Sequence, residues 1–124
     1  MNIEYVKNGL AVDGMEVSVQ AWEQEGLVIH WFRDETEIAM ATILQNGEDW
    51  EWTRFQVNEE GQGIFTAAQR FAIQALSNGY SLTIKSDVFQ NQFYKEVGYE
   101  DRGDGYLEFK NVKVAEDWIK KHGR

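Results

Sequence analysis

Apolar and polar residues alternate through most of the first half of the chain, and short turn signals punctuate the runs. Such a period of two puts successive side chains on opposite faces of a strand and predicts an antiparallel sheet. Asp13-Gly14, Glu25-Gly26 and Asn46-Gly47 are the expected hairpin turns. Between them Met15, Val17, Val19 and Ala21 share one face of a first strand. Residues 27–32 are apolar on both faces and read as a central strand; Ile38, Met40, Thr42 and Leu44 continue the pattern along one face of the next, and residues 50–57 form a fourth. No helix is expected in the first 57 residues.

The period changes after Glu59. Ile64, Phe65, Ala68, Phe71, Ala72, Ala75 and Leu76 recur at three- and four-residue spacing, with Gln69, Arg70 and Gln74 on the other side. This predicts an amphipathic helix over 64–76, stopped by Asn78-Gly79. Residues 80–85 alternate as a short strand. Asp87 can cap a second helix whose buried stripe is Phe89, Phe93 and Val97 and which ends at Gly98. Strands near 99–102 and 106–110 flank Gly103-Asp104-Gly105. A last helix follows Asn111, with Ala115, Trp118 and Ile119 inward, acids early and Lys120 and Lys121 late. The order is α+β with one mixed sheet.

Length and composition narrow the function classes. The chain has 124 residues, 43% of them hydrophobic, which suits one domain with one core. It is divided here into antiparallel strands (1–57), a second half built around the glycine turn (58–110) and a C-terminal helix (111–124). No apolar run is long enough to cross a bilayer, and the N-terminus has neither a basic start nor an apolar signal core, so a cytoplasmic location is expected and a membrane partner is not. Without cysteine there is no disulfide, thiolate metal site or cysteine nucleophile. His30 and His122 are far apart, so no metal is expected; they read as a packed strand histidine and a helix-end residue. The net charge of −9 repels phosphate backbones, which argues against nucleic acid. It favours cationic ligands, or serves solubility alone. Five Trp leave core, homodimer interface and cleft all open.

Two segments carry candidate chemistry. In VNEEGQGIFTAAQRF (57–71) a strand passes through a glycine turn into a helix. Glycines there let backbone N–H groups approach a pyrophosphate, and the helix dipole adds partial positive charge. A tight connection is the plain alternative. A dinucleotide-binding reading fails, since Thr66 stands where the third glycine belongs and no parallel unit precedes the turn. The second segment is DVFQNQFYKEVGY (87–99).

Together these segments resemble the cofactor half of the GCN5-related N-acetyltransferase family, over about residues 50–110. The family signature [Gln/Arg]-x-x-Gly-x-[Gly/Ala] is similar to Glu60, Gly61, Gln62, Gly63, Ile64 and Phe65, and its later Asn, Tyr and Lys-x-x-Gly-Phe-like ending to Asp87, Tyr94, Lys95, Gly98 and Tyr99. The resemblance implies an acyl-coenzyme A N-acyltransferase fold: a mainly antiparallel central sheet with two or three packed helices. It also implies acetyl-coenzyme A as co-substrate, lying in a splay between the strands that end near Val57 and Lys85. Its pantetheine would pair near Phe55 and Val57, and its pyrophosphate would sit on Gly61, Gln62, Gly63, Ile64, Phe65 and Thr66. Tyr94 would protonate the departing thiolate, with packing beside Phe93 as the plain alternative. Glu51, or Asp49 if the strand is registered two places off, would be the general base, and either faces the same way. Three residues depart from the pattern: Glu60 replaces Gln or Arg, Phe65 a small residue, and Asp87 the helix Asn. The usual N-terminal helical segment between the first two strands is also missing. The implied activity is direct acetyl transfer to an amine, small molecule or protein and cationic in character. A non-catalytic protein of this fold, such as a phage or mobile-element accessory protein binding a cationic partner, is the alternative.

Overall fold

A computed structural model describes residues 3–23, 25–87 and 91–123. In chain order the elements are α1 (Ile3–Gly9), β1 (Glu16–Trp22), β2 (Gly26–Arg33), β3 (Thr36–Asn46), β4 (Asp49–Val57), α2 (Ile64–Ser77), β5 (Ser81–Lys85), α3 (Asn91–Glu96), β6 (Tyr99–Asp101), β7 (Tyr106–Phe109) and α4 (Val112–His122). The seven strands form one sheet in the order β1-β2-β3-β4-β5-β7-β6. All neighbours are antiparallel except β4 and β5. A parallel pair needs a crossover, and α2 supplies it. Among the described residues no helix is long and apolar enough to cross a membrane.

The register shows how the core is built. Leu27, Ile43, Trp52, Ile84 and Leu107 are successive partners across five strands, and all five are buried. Val6 of α1, Leu10 just after it, and Phe71, Ala72 and Ala75 of α2 join the same core, with Phe71 stacked against Trp50. Each large side chain so enclosed contributes on the order of 1.5–3 kcal/mol of transfer free energy. The row on the opposite face is Leu44, Glu51, Thr83 and Glu108.

Four sequence expectations are corrected. The first 57 residues do contain a helix, α1, and its buried Val6 and the following Leu10 sit between α2 and the sheet, so there are four helices rather than two or three. The indole N–H of Trp31 donates to the Leu10 carbonyl at 2.9 Å, fixing the end of this short helix. In β3 the buried face is Ala39, Ala41 and Ile43. Period two cannot choose a face where both are apolar; the pairing of Ala39 with Trp31 decides it, and Ile38 is the extra residue of a bulge. Gln69 is 2% exposed, on the packed side of α2. In α3 it is Tyr94 and the following Val97 that are buried while Phe93 is partly exposed, because α3 ends at Glu96; Phe89 lies outside the described residues. Among the described residues no helical segment lies between β1 and β2.

Candidate functional site

A β-bulge in β4 shapes the site. Thr42 pairs with Arg54 and Ile43 with Trp52, so Thr53 is an extra residue without a ladder partner. Its hydroxyl hydrogen-bonds to that of Thr42 at 2.6 Å, which holds the bulge. A bulge bends its strand and adds twist. On the other side of β4 the parallel pairing to β5 ends at Trp52 and Ile84. Beyond that point the two strands part, as the sequence expects, and a cavity of about 490 Å³ opens between them, lined by Glu51, residues 52–55, residues 84–86, Asp87 and Tyr94.

The glycine turn follows β4. Gly61 and Gly63 have φ of +77° and +89°, a region costly for any residue with a Cβ. Gly63 starts α2, whose end carries no side-chain cap and no acid in its first turn. Uncapped N–H groups and the positive end of the helix dipole therefore face outward, an arrangement suited to an anion. Phe55 and Val57 of β4, Glu60, Gly61, Gln62, Gly63, and Ile64, Phe65 and Thr66 of α2 line one groove of about 630 Å³ together with Tyr94. That volume is in the usual range for a ligand site.

Several groove residues escaped the sequence reading. Phe93 of α3 and Trp118 and His122 of α4 form its outer wall. Phe65 stacks on Phe55 with ring centres 5.3 Å apart and meets Phe93 edge-on at 5.1 Å, so an aromatic chain spans from β4 to α3. Phe93 in turn touches Trp118. The heptad-like spacing of Phe93 and Trp118 within their own helices carries no sign that they would meet; only the docking of α4 beside α2 and α3 joins them.

Tyr94 lines both the groove and the strand-splay cavity. It is 8% exposed, and burial, then the charge of Asp87, pushes its phenol up to about 12. It keeps its proton throughout the neutral range. Asp87 lines the splay cavity and lies outside the groove; its N–H donates to Asn91 Oδ1 at 2.8 Å. Glu51 is likewise outside the groove. It lines the splay cavity and a third cavity of about 580 Å³ on the opposite sheet face, where Glu25, Asp49 and Glu108 also stand. Asp49 accepts from Ser81 Oγ at 2.8 Å, and Glu108 pairs with Arg102 at 3.4 Å. Among the described residues Glu51 has no such partner. His30 pairs with Glu37. No three His, Asp or Glu of the described residues converge as metal ligands.

Solved structures share this fold. The PaiA N-acetyltransferase from Thermoplasma acidophilum in complex with coenzyme A has a TM-score of 0.53 and 16% identity over 69% of this chain and 61% of its own. The aminoglycoside 6'-N-acetyltransferase from Enterococcus faecium scores 0.53 at 12% identity, covering 73% of this chain and 76% of its own. This chain has the GCN5-related N-acetyltransferase fold. That fold is also scored at 0.56 and 9% identity against BjaI, a coenzyme A-dependent acyl-homoserine lactone synthase with SAM and isopentyl-CoA, over 85% of this chain and 68% of that one. The chain thus spans about three fifths of the length of the PaiA structure. No family model and no curated protein matches it. Within this fold the strand pair that parts beyond Trp52 is the feature that the resemblance implied.

Proposed function

We propose that this protein is an acyl-coenzyme A-dependent N-acyltransferase, moving acetyl from acetyl-coenzyme A to a cationic amine. One observation carries the reading: the bulged β4 leaves β5 beyond Trp52, and the opening there shares Phe55 and Tyr94 with the groove below the α2 N-terminus and Glu51 with the acid-lined cavity on the other sheet face. The residues present fit the co-substrate. The turn at Gly61 and Gly63 with the first turn of α2 would hold the pyrophosphate, and the edge of β4 near Phe55 and Val57 would hold the pantetheine arm.

Acetyl-coenzyme A supplies an acetyl group activated as a thioester. The amine enters from the opposite face, where Glu25, Asp49, Glu51 and Glu108 favour a cation. Its nitrogen bonds to the acetyl carbon as the carbon–sulfur bond breaks. Glu51 takes the proton that the amine loses, and it suits this role better than Asp49, whose carboxylate is already engaged by Ser81. Tyr94 donates its hydroxyl hydrogen to the sulfur as charge develops there. With the phenol raised to about 12 it is always in the donating form at neutral pH.

A non-catalytic binding role is favoured by one observation, the Phe55–Phe65–Phe93 chain that crosses the groove beside the acidic Glu60. Thermal unfolding with coenzyme A and acetyl-coenzyme A separates the two. At 100 times its dissociation constant a ligand stabilises by about 2.7 kcal/mol. Absence of any shift with either ligand refutes the transferase.

A further inference from the structure

A separate cavity of about 240 Å³ lies on the far side of the α2 N-terminus. Its walls are the 11–13 segment after α1, Arg33 at the end of β2, and Gly63, Thr66, Ala67 and Arg70, which recur at helical spacing along one side of α2. The guanidinium of Arg33 crosses the turn at Gly14, where an added Cβ would stand 2.9 Å from Nη1. Arg33 Nε is buried and donates to nothing. Among the described residues neither Arg33 nor Arg70 forms an ion pair. In a chain with 21 acidic and 12 basic residues, two unpaired guanidiniums around one cavity need an explanation. A buried donor without an acceptor is costly, so the cavity calls for an acceptor from outside the chain. Asp13 is the one acid among its walls, leaving a positive balance.

Planar guanidinium forks match a phosphomonoester, whose dianion accepts two parallel N–H bonds from each. Gln62, Gly63 and Thr66 line both this cavity and the groove. A ligand whose pyrophosphate rests on the first turn of α2 therefore has its next phosphate within reach of the arginines. Coenzyme A has that pattern: one ribose bears the pyrophosphate on its 5′ oxygen and a monophosphate on its 3′ oxygen. We propose that the Arg33–Arg70 cavity receives the 3′-phosphate of coenzyme A, so that the protein distinguishes coenzyme A from 3′-dephospho-coenzyme A. This rests on the transferase reading and names which end of the co-substrate each side of α2 holds.

Titration calorimetry of the whole chain in a phosphate-free buffer tests it with two probes, coenzyme A and 3′-dephospho-coenzyme A. Wild type is expected to bind coenzyme A roughly tenfold or more tightly than the dephospho form. Arg70→Gln, at an exposed helix position, should weaken coenzyme A roughly tenfold and leave the dephospho form unmoved. Arg33→Gln should do the same. Denaturant midpoints of both variants are recorded alongside, and Arg70→Gln carries the test if Arg33→Gln does not fold. Equal affinities of wild type for the two probes overturn the site while leaving the transferase standing, as does a variant that weakens both probes equally. Binding of neither probe to wild type removes the transferase reading and this site with it.

Discussion

Replacing Tyr94 by Phe separates chemistry from packing. The ring meets Phe93 and Tyr99 edge-on, each with centres 5.4 Å away, and Phe keeps both contacts. Among the described residues nothing hydrogen-bonds to the Tyr94 hydroxyl, so its removal orphans no partner. The stability change should stay within about 0.5 kcal/mol, the range for substitutions that leave no cavity and break no bond. Turnover should fall about 10- to 1,000-fold, the contribution of a proton donor held at the reacting atom. Tyr99→Phe is the control. Tyr99 is fully packed beside Tyr94, and its ring also meets Phe109 edge-on with centres 5.3 Å apart. Its replacement alters a fully packed position and should cost more stability than Tyr94→Phe, on the order of 1 kcal/mol, without removing a group from the groove. The assay is release of free coenzyme A thiol with a panel of polyamines, aminosugars and lysine peptides, alongside urea denaturation. Tyr94→Phe with unchanged turnover, or with a stability loss as large as that of Tyr99→Phe, would reduce Tyr94 to a packing residue.

The raised phenols make stability depend on alkaline pH. The fold favours neutral Tyr94 and Tyr99, so their contribution is complete below pH 10, the unfolded value for Tyr94, and is lost as the pH climbs towards about 12. The denaturation midpoint should drop across that interval by up to about 1.4 kcal/mol per pH unit for Tyr94, and Tyr94→Phe should flatten the slope; an unaltered slope contradicts the assignment. Glu60→Arg removes a like charge beside the groove and should tighten coenzyme A binding about fivefold or more at low salt, with a smaller gain at high salt. A salt-independent gain would point to packing instead of charge. Gly98 has φ of +108°, and an added Cβ would stand 2.6 Å from the Asn111 carbonyl oxygen. Gly98→Ala should therefore destabilise by about 3 kcal/mol or more, and a midpoint equal to wild type in urea shows that the α4 entry can relax.

What could be read from the sequence divides along physical lines. The strand, turn, helix, strand, helix, hairpin order after Asp49 was legible because each element there has an unambiguous period and a glycine or Asn stop. The α1 helix was missed although Ile3, Val6 and Leu10 stand at helical spacing, since fewer than two turns give a weak pattern and α1 is held by packing on α2 and by the Trp31 bond. The buried face of β3 depended on which strand residues meet Trp31, a register that local alternation does not encode. The glycine turn was legible because positive φ at Gly61 and Gly63 demands glycine, and the residues around it line the groove. Trp118 and His122 were not, because their place in the groove depends on how α4 docks. Thr53 gave no signal either: a bulge residue is ordinary in composition and is defined only by the partner it lacks.

The bulge also bears on the proposed function, in which a strongly acidic chain holds an anionic co-substrate. Charges of one sign would defeat binding if they surrounded the groove, but the sheet separates them. Glu25, Asp49, Glu51 and Glu108 gather on the face turned away from the helices, whereas the α2 N-terminus, Arg33 and Arg70 stand on the helix side. Between unit charges on opposite sides of a sheet the separation approaches a Debye length of about 8–10 Å, so screening weakens their mutual effect. Glu51 and Tyr94 both line the gap that opens past Thr53. A proton acceptor drawn from the acidic face and a proton donor drawn from the helix side then flank a single opening. That is the geometry the proposed reaction needs for an amine and a thioester to approach one another from opposite sides; Glu60 beside the glycine turn and Asp13 in the arginine cavity are acids on the helix side, and Arg102 is a base among the acids of the other face.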